Sequence, residues 1–251
     1  MNERCVIVTG TIVPNIVLHG HEDVDIAVQG MELVDPLARR SRYLETLSLY
    51  ASIMKDEIYF LENSSYDFSK DTEFRELFRK TGITLVKFPR SKFVERGKGF
   101  QEFEMLDEFV RSVSGQYRHF VKLSGRYQYR NISSLIDAHF EGALIDMNRS
   151  RRVAITSIFC ATFDFYKKHL LGLYLLADDR QGAWIERRLY ERLRDRSFRQ
   201  SVHLFPTEPD LKLWSVFGRH ERGTALTHLK RVVRNGERAI LRKLMVNELY
   251  L

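Results

Sequence analysis

Four short apolar runs divide the first half of the chain, and helix-spaced segments separate them. "CVIVTGTIV" (5–13) is rich in β-branched residues and closed by Pro14; "EIYFLENSS" (57–65), "ITLVKF" (83–88) and "HFVKLSGRY" (119–127) follow. Such runs, bounded by turn residues, predict buried strands. Between them lie Leu37–Met54, with apolar positions at Leu37, Tyr43, Leu44, Leu47 and Ile53, then "TEFRELFRK" stopped by Gly82, then "QEFEMLDEFVRSV" (101–113). Each has helical spacing, and a glycine after the second fits a helix C-terminus. The order β-α-β-α-β-α-β constrains the chain more than any single motif. Strands alternating with helices predict an α/β fold, a Rossmann-type mainly parallel sheet flanked by helices. Ligands of such sheets bind outside the carboxyl ends of the strands. That directs attention to the loops 9–15, 62–66, 87–99 and 124–131.

The second half is more mixed. "RRVAITSIFCATFDFYKKHLLGLYLL" (151–176) predicts a strand or two and then a helix, and "DDRQGAWIERRLYERLRD" (178–195) a helix starting at Asp178 or Asp179. "SVHLFPTEPD" reads as a strand and a proline-containing loop. Residues 223–251 predict a basic amphipathic helix, or two broken near Gly236. No linker-like stretch separates autonomous units. The expected organisation is one domain over 1–222, in two halves that meet at about 135, with a C-terminal helical appendage over 223–251.

Composition narrows the classes. With 44% hydrophobic residues the 251-residue chain can bury a large core. A net charge of +7 favours anionic partners without choosing between nucleic acid, phosphorylated small molecules and an acidic membrane face. Cys5 and Cys160 each sit in an apolar run and read as buried free thiols, which suggests a reducing compartment. The first residues lead into a strand rather than a signal sequence, and no apolar stretch approaches the length of a membrane span.

The motifs for chemistry are sparse. No nucleophile elbow, phosphate-binding P-loop, dinucleotide fingerprint or zinc spacing is present. Asp23 and Asp25 have the spacing of a metal clamp but follow no apolar strand; Asp164 stands alone; Asp178 and Asp179 suit a helix start. His19 and His21 lack evident partners. Arg96-Gly97-Lys98-Gly99 pairs cations with glycines, a combination that lets backbone and charge approach a phosphate, although a solvated surface loop explains it equally well. Glu186 lies among cations beside the apolar Trp184, Ile185 and Leu189, as an ion-paired helix carboxylate would.

Five segments in order carry a resemblance. "VTGTIVP" (8–14), "RRSRYLETLSLY" (39–50), "IYFLENSSYD" (58–67), "RGKGFQEFEML" (96–106) and "VKLSGRYQYRNI" (121–132) together resemble the bacterial GT-A-type glycosyltransferases of O-antigen and capsule polysaccharide biosynthesis. The resemblance covers residues 5–135 and continues weakly through "GAWIERRLY". It implies a GT-A-like fold and hexosyl transfer from a nucleotide-sugar donor, a UDP-sugar by preference, to a glycan or lipid-linked glycan acceptor. It also implies a cytoplasmic enzyme. The basic C-terminal helix, apolar on its other side, suits either peripheral contact with the inner membrane beside a lipid-linked acceptor or packing against the core or a dimer partner.

For the donor, the resemblance implies Thr9, Thr11, Arg42, Glu62, Asn63, Lys98, Lys122, Ser124, Gly125, Arg126 and Tyr127. In many such enzymes an Asp-x-Asp after the fourth strand holds Mn²⁺ or Mg²⁺; here that place reads Ser124-Gly125-Arg126. Arg126, helped by Lys122 or Lys98, is expected to stabilise the diphosphate in place of a metal. A metal held through Glu62, Asp164 or another acid is the alternative. Glu186 is the expected catalytic base and Glu102 the second choice. Two other classes remain: a nucleic-acid-binding protein or nuclease, which the charge alone supports, and a catalytically silent sugar-nucleotide-binding protein.

Overall fold

The computed structural model describes residues 2–14, 35–113, 115–137, 140–212, 232–236 and 238–240. The predicted alternation is present. Strand β1 (Asn2–Gly10) is followed by α1 (Pro36–Ile53), β2 (Glu57–Glu62), α2 (Thr72–Thr81), β3 (Thr84–Lys87), α3 (Lys98–Ser112) and β4 (Tyr117–Ser124). The rest comprises β5 (Gln128–Tyr129), α4 (Ile132–Ile136), β6 (Ala143–Leu144), β7 (Met147–Asn148), β8 (Val153–Ala154), β9 (Ile158–Thr162), α5 (Phe163–His169), α6 (Ile185–Leu193), β10 (Val202–His203) and β11 (Leu211–Lys212).

Local chemistry sets the ends. The Asp35 carboxylate accepts from the Leu37 and Ala38 N–H groups, and Pro36 follows it, so α1 starts there. Asp71 caps α2 in the same way, and Gly82, with φ 71°, closes it in the left-handed conformation.

The main sheet runs β10-β6-β9-β4-β1-β2-β3. β4, β1, β2 and β3 are mutually parallel, and β10 is parallel to β6. β9 is antiparallel to both β4 and β6 and so reverses direction in mid-sheet. Helices cover both faces. Along β1, Cys5 and Ile7 join one core with α3, α5 and α6, while Val6 and Val8 join the other with α1 and α2. This alternation is the period of two expected of a strand buried on both sides. Cys5 and Cys160 are buried free thiols, as the sequence predicts.

Two boundaries differ from expectation. β1 ends at Gly10 rather than Val13, because side chains take over its backbone donors. Thr11 N–H donates to the Tyr43 hydroxyl, Ile12 N–H to the Glu62 carboxylate and Val13 N–H to the Ser64 hydroxyl. The expected helix from Asp178 is split. Asp178 caps a single 3₁₀ turn, Gly182 takes φ 65°, and α6 begins only at Ile185.

Of the expected C-terminal helix, 232–236 and 238–240 are helical and the other residues of 223–251 lie outside the described residues. This portion rests on the body of the protein: Arg238 pairs with Asp146 at 3.1 Å and Arg234 with Glu208 at 2.5 Å. No described helix is long and apolar enough to cross a membrane.

Candidate active site

A cavity of about 690 Å³ opens at the carboxyl ends of β1 and β4. Thr9, Gly10, Thr11 and Pro14 line it from β1, and Ser124 to Tyr127 from β4. Helix α1 contributes Arg39 and Tyr43; the start of α3 contributes Lys98 and Glu102. On the side formed by the second half stand residues 153–157, Asp179, Arg180, Trp184 and Glu186.

The strand ends meet over one aromatic ring. A Cβ on Gly125 would come within 2.8 Å of the Tyr43 ring and 2.9 Å of Val8. A glycine is therefore required where the backbone of 125 passes Tyr43 and donates to Thr9 O at 2.8 Å. The next residue, Arg126, lines the cavity and stands near Arg39, whose pKa is lowered by burial and by that second positive charge. Arg39 is held by Thr11 O at 2.6 Å and the Tyr43 hydroxyl at 3.4 Å. Two guanidinium groups lining one cavity, close enough for each charge to be felt by the other, form a place for an anion.

Of the residues named from the sequence, Thr9, Thr11, Lys98, Ser124, Gly125, Arg126, Tyr127, Glu186 and Glu102 line the cavity. Four other candidates have different positions. Arg42 does not line it; Arg39, one turn earlier on α1, does. Glu62 is buried, pairs with Lys87 at 2.5 Å and accepts from Ile12 N–H and the Ser64 N–H and hydroxyl, so it shapes the loop after β1. Asn63 accepts from the Thr11 hydroxyl at 2.7 Å. Lys122 is wholly buried, and its three ammonium donors go to Glu102 at 2.6 Å, Ser124 Oγ at 3.0 Å and Thr156 O at 2.7 Å. An ammonium with every proton engaged has none left for a diphosphate.

The Arg96-Gly97-Lys98-Gly99 loop also differs from a phosphate cradle. Arg96 donates to Ala177 O and Leu175 O. Gly97, at φ 101°, is covered by Asp179: a Cβ there would lie 1.9 Å from Oδ2. Gly99 is covered by Ile185, whose Cγ2 would lie 2.5 Å from a Cβ. The two glycines thus seat the second half of the chain on α3. Of the four, Gly97 and Lys98 line the cavity, and Lys98 is the one that brings a charge to it.

Four carboxylates line this space, Glu95, Glu102, Asp179 and Glu186, and the last three lie beside the groups named above. Glu102 accepts from Thr9 and Ser124 hydroxyls and from Lys122. Burial pushes its pKa up, but the Lys122 ammonium and the hydroxyl donors together hold it below the usual carboxylate range. Glu186, in the first turn of α6, accepts from the Thr156 hydroxyl at 3.2 Å. Asp179 is pushed up to about 6, by burial first and by the neighbouring Glu186 charge second, against Lys98. The sequence reading gave Asp179 only a helix-start role; its partner at residue 97 is distant in sequence and leaves no local signal. A carboxyl raised from 3.8 stabilises the fold fully below pH 3.8, and that contribution is lost as pH rises through about 6. Asp179→Asn is therefore expected to remove a fall in stability between those values, which chemical denaturation at a series of pH values measures; an unchanged slope would assign it to another group.

The metal alternatives place differently. Glu62 and Asp164 do not line the cavity, and among the described residues no trio of His, Cys, Asp or Glu is placed to hold a metal ion. The end of β4 offers a hydroxyl and a guanidinium, which do not fit a divalent cation. Asp23, Asp25, His19 and His21 lie outside the described residues.

No protein-family model matches the chain, and no curated protein matches it in sequence. Solved structures match it in shape. Mannosyltransferase PcManGT from Pyrobaculum calidifontis, in complex with GDP-Man and Mn²⁺, gives a TM-score of 0.46 at 12% identity over 95% of this chain and 64% of that one. Mouse xyloside xylosyltransferase 1 in its apo form gives 0.43 at 8% identity over 90% and 92%. A candidate nucleotide-diphospho-sugar transferase from Desulfovibrio desulfuricans G20 gives 0.51 at 12% identity, over 97% of this chain and 98% of that one. With the parallel sheet and its flanking helices, that last likeness establishes a GT-A-like fold for this chain.

Proposed function

We propose that the protein is a glycosyltransferase that moves a sugar, a hexose by preference, from a nucleotide donor to an acceptor hydroxyl. One observation carries the reading: paired guanidinium groups, Arg39 and Arg126, stand at the carboxyl ends of β1 and β4 in the same cavity as the carboxylate of Glu186. The first pair suits a diphosphate, the second group suits a hydroxyl proton. In this reading Thr9, Thr11 and Tyr127 meet the nucleoside side of a UDP-sugar, and Lys98 supports the phosphates. The acceptor hydroxyl attacks the anomeric carbon as the bond from that carbon to the phosphate oxygen breaks. Its proton passes to Glu186, and the charge that develops on the nucleoside diphosphate is stabilised by Arg126 and Arg39.

Residues 1–135 then form the donor half and 136–222 the acceptor half of one domain. The ordered motifs support an acceptor that is a glycan or lipid-linked glycan of bacterial surface polysaccharide, made at the inner face of the cytoplasmic membrane. Because the residues after β4 do not fit a metal, no step is routed through one. A thermal-shift screen against UDP-, GDP-, CMP- and dTDP-sugars, with and without Mn²⁺, tests donor class and metal need together. The expected result is a rise in midpoint with UDP-sugars that EDTA leaves unchanged. Transfer that vanishes in EDTA and returns with Mn²⁺ would overturn the role given to Arg126.

A further inference from the structure

The basic loop 90–98 reaches the donor site only at its end, through Val94, Glu95, Gly97 and Lys98, and its remaining residues lie outside the cavity lining. It carries Arg90, Lys92, Arg96 and Lys98 against a single acid, Glu95. With Gly97 covered by Asp179 and the following Gly99 by Ile185, the loop also holds Phe93 outward beside the second half of the chain. Phe93 packs on Phe100, and Phe100 on Tyr174, with ring centroids 5.9 and 5.0 Å apart. Arg96 reaches Leu175 O at 2.7 Å, which brings Leu175 and Leu176 next to this loop. Arg188 donates to Leu176 O at 3.0 Å and so joins these leucines to α6 and Trp184. Ile155 completes the row on the cavity wall shared with Trp184.

These five apolar side chains are from 37% exposed, at Ile155, to 60%, at Leu176. Outside the C-terminal portion, only Leu37 and Ile53 among the described large apolar residues are comparably exposed, and both lie on α1. Scattered exposed apolar residues need no explanation, but a contiguous group beside a cavity does. Cations are interleaved with it. Arg187 stacks on Trp184 at 4.5 Å, Lys92 adjoins Phe93, and Arg180 and Arg188 flank the row with partial pairing to Asp178 and Glu191. Aromatic and leucine side chains with arginine and lysine between them match the acyl boundary and phosphate layer of an anionic bilayer.

We propose that the rim formed by Phe93, Leu175, Leu176 and Trp184 is a membrane-docking surface that enters the headgroup layer of an anionic bilayer. It places the contact at the mouth of the cavity rather than on the C-terminal helix. The binding itself does not depend on the reading of the site as a transferase; only its purpose, delivery of a lipid-linked acceptor, rests on that reading.

The test is co-sedimentation of the full chain with vesicles of phosphatidylglycerol and phosphatidylcholine, and with phosphatidylcholine alone. The native chain is expected to bind only the anionic vesicles and to be released by salt. Leu175→Ser with Leu176→Ser is expected to weaken that binding roughly tenfold or more, since each leucine removed from apolar contact forfeits its favourable transfer out of water. Ile53→Ser, at the opposite end of α1, is expected to leave it unchanged and serves as the control for folding and general stickiness. No binding to anionic vesicles overturns the proposal. So does binding that survives the double variant but fails with Val232→Ser and Val233→Ser. Self-association of the native chain that the double variant abolishes, without vesicle binding, would assign the face to a second copy and also overturn it. None of these readouts requires donor or turnover, so loss of the glycosyltransferase reading would leave the result interpretable.

Discussion

Lys122→Met is expected to lower the stability of the fold by about 2–3 kcal/mol, because it strands the carboxylate of Glu102. Lys122 sits on a strand buried on both faces, and its register turns it toward α3, against Glu102 and 5.9 Å from the Phe103 ring. Methionine conserves most of the volume, so the loss is electrostatic rather than a cavity. Breaking a fully buried pair by removing one partner costs about 3–5 kcal/mol; the lower figure reflects that Glu102 is 23% exposed at the cavity and regains water. The pH dependence follows from its depressed pKa. The share that Glu102 contributes is present above the ordinary glutamate range and is lost as pH falls through its lower folded value. The gap between native chain and variant should therefore be full at neutral pH and narrow on acidification. Urea unfolding at both conditions reads it, and equal stability at pH 7 would show that Glu102 does not depend on Lys122. The same variant frees Thr156 O, on the residue whose hydroxyl holds Glu186, so it also disturbs the candidate base.

How far the sequence reveals such a site depends on the range of the contacts. The alternation of strand and helix and the terminus at Gly82 are local in origin, and these features are legible because propensity, capping and period agree. The placement of the cavity follows from that order by a general rule of parallel sheets, which is why Thr9, Ser124, Gly125 and Arg126, named from the strand ends, line it. Lys122 is harder. A lysine inside an apolar run looks like a strand-end cation, and only the packing of α3 brings Glu102 to it. The sequence reading names Arg42 on the first helix, whereas Arg39 lines the cavity. The aromatic Tyr43, four residues after Arg39 and therefore on the same face, is the signal that separates them. Gly97 and Gly99 resemble a phosphate loop because glycine marks any close approach. Whether the approaching group is a ligand or Asp179 and Ile185 depends on contacts about eighty residues away. The break at Gly182 falls inside a segment with strong helical period, and its αL conformation ends a turn that local pattern extends into α6.

Glu186→Gln is expected to reduce turnover by about 10²–10⁴ with the affinity for nucleotide sugar nearly unchanged. The amide keeps the size of the carboxylate and can still accept from the Thr156 hydroxyl, so the first turn of α6 is preserved. What it loses is the capacity to take the proton of an acceptor hydroxyl as the bond to the sugar forms. The donor is held elsewhere in the cavity, by the groups around Arg39 and Arg126, so binding and chemistry separate in this variant. Arg126→Ala is the complementary case: it removes charge from the leaving-group side and should weaken donor binding as well as turnover. Calorimetric titration of the nucleotide sugar, together with the rate of transfer, distinguishes the two patterns. Near-native turnover in Glu186→Gln would refute the assignment. If Asp179→Asn then lost transfer instead, the proton would belong to Asp179. That carboxyl lines the same cavity, and its value of about 6 leaves it largely ionised at neutral pH yet more basic than an ordinary aspartate. A rate that rises through pH 6 in the native chain and no longer does so in Asp179→Asn would be the corresponding signature.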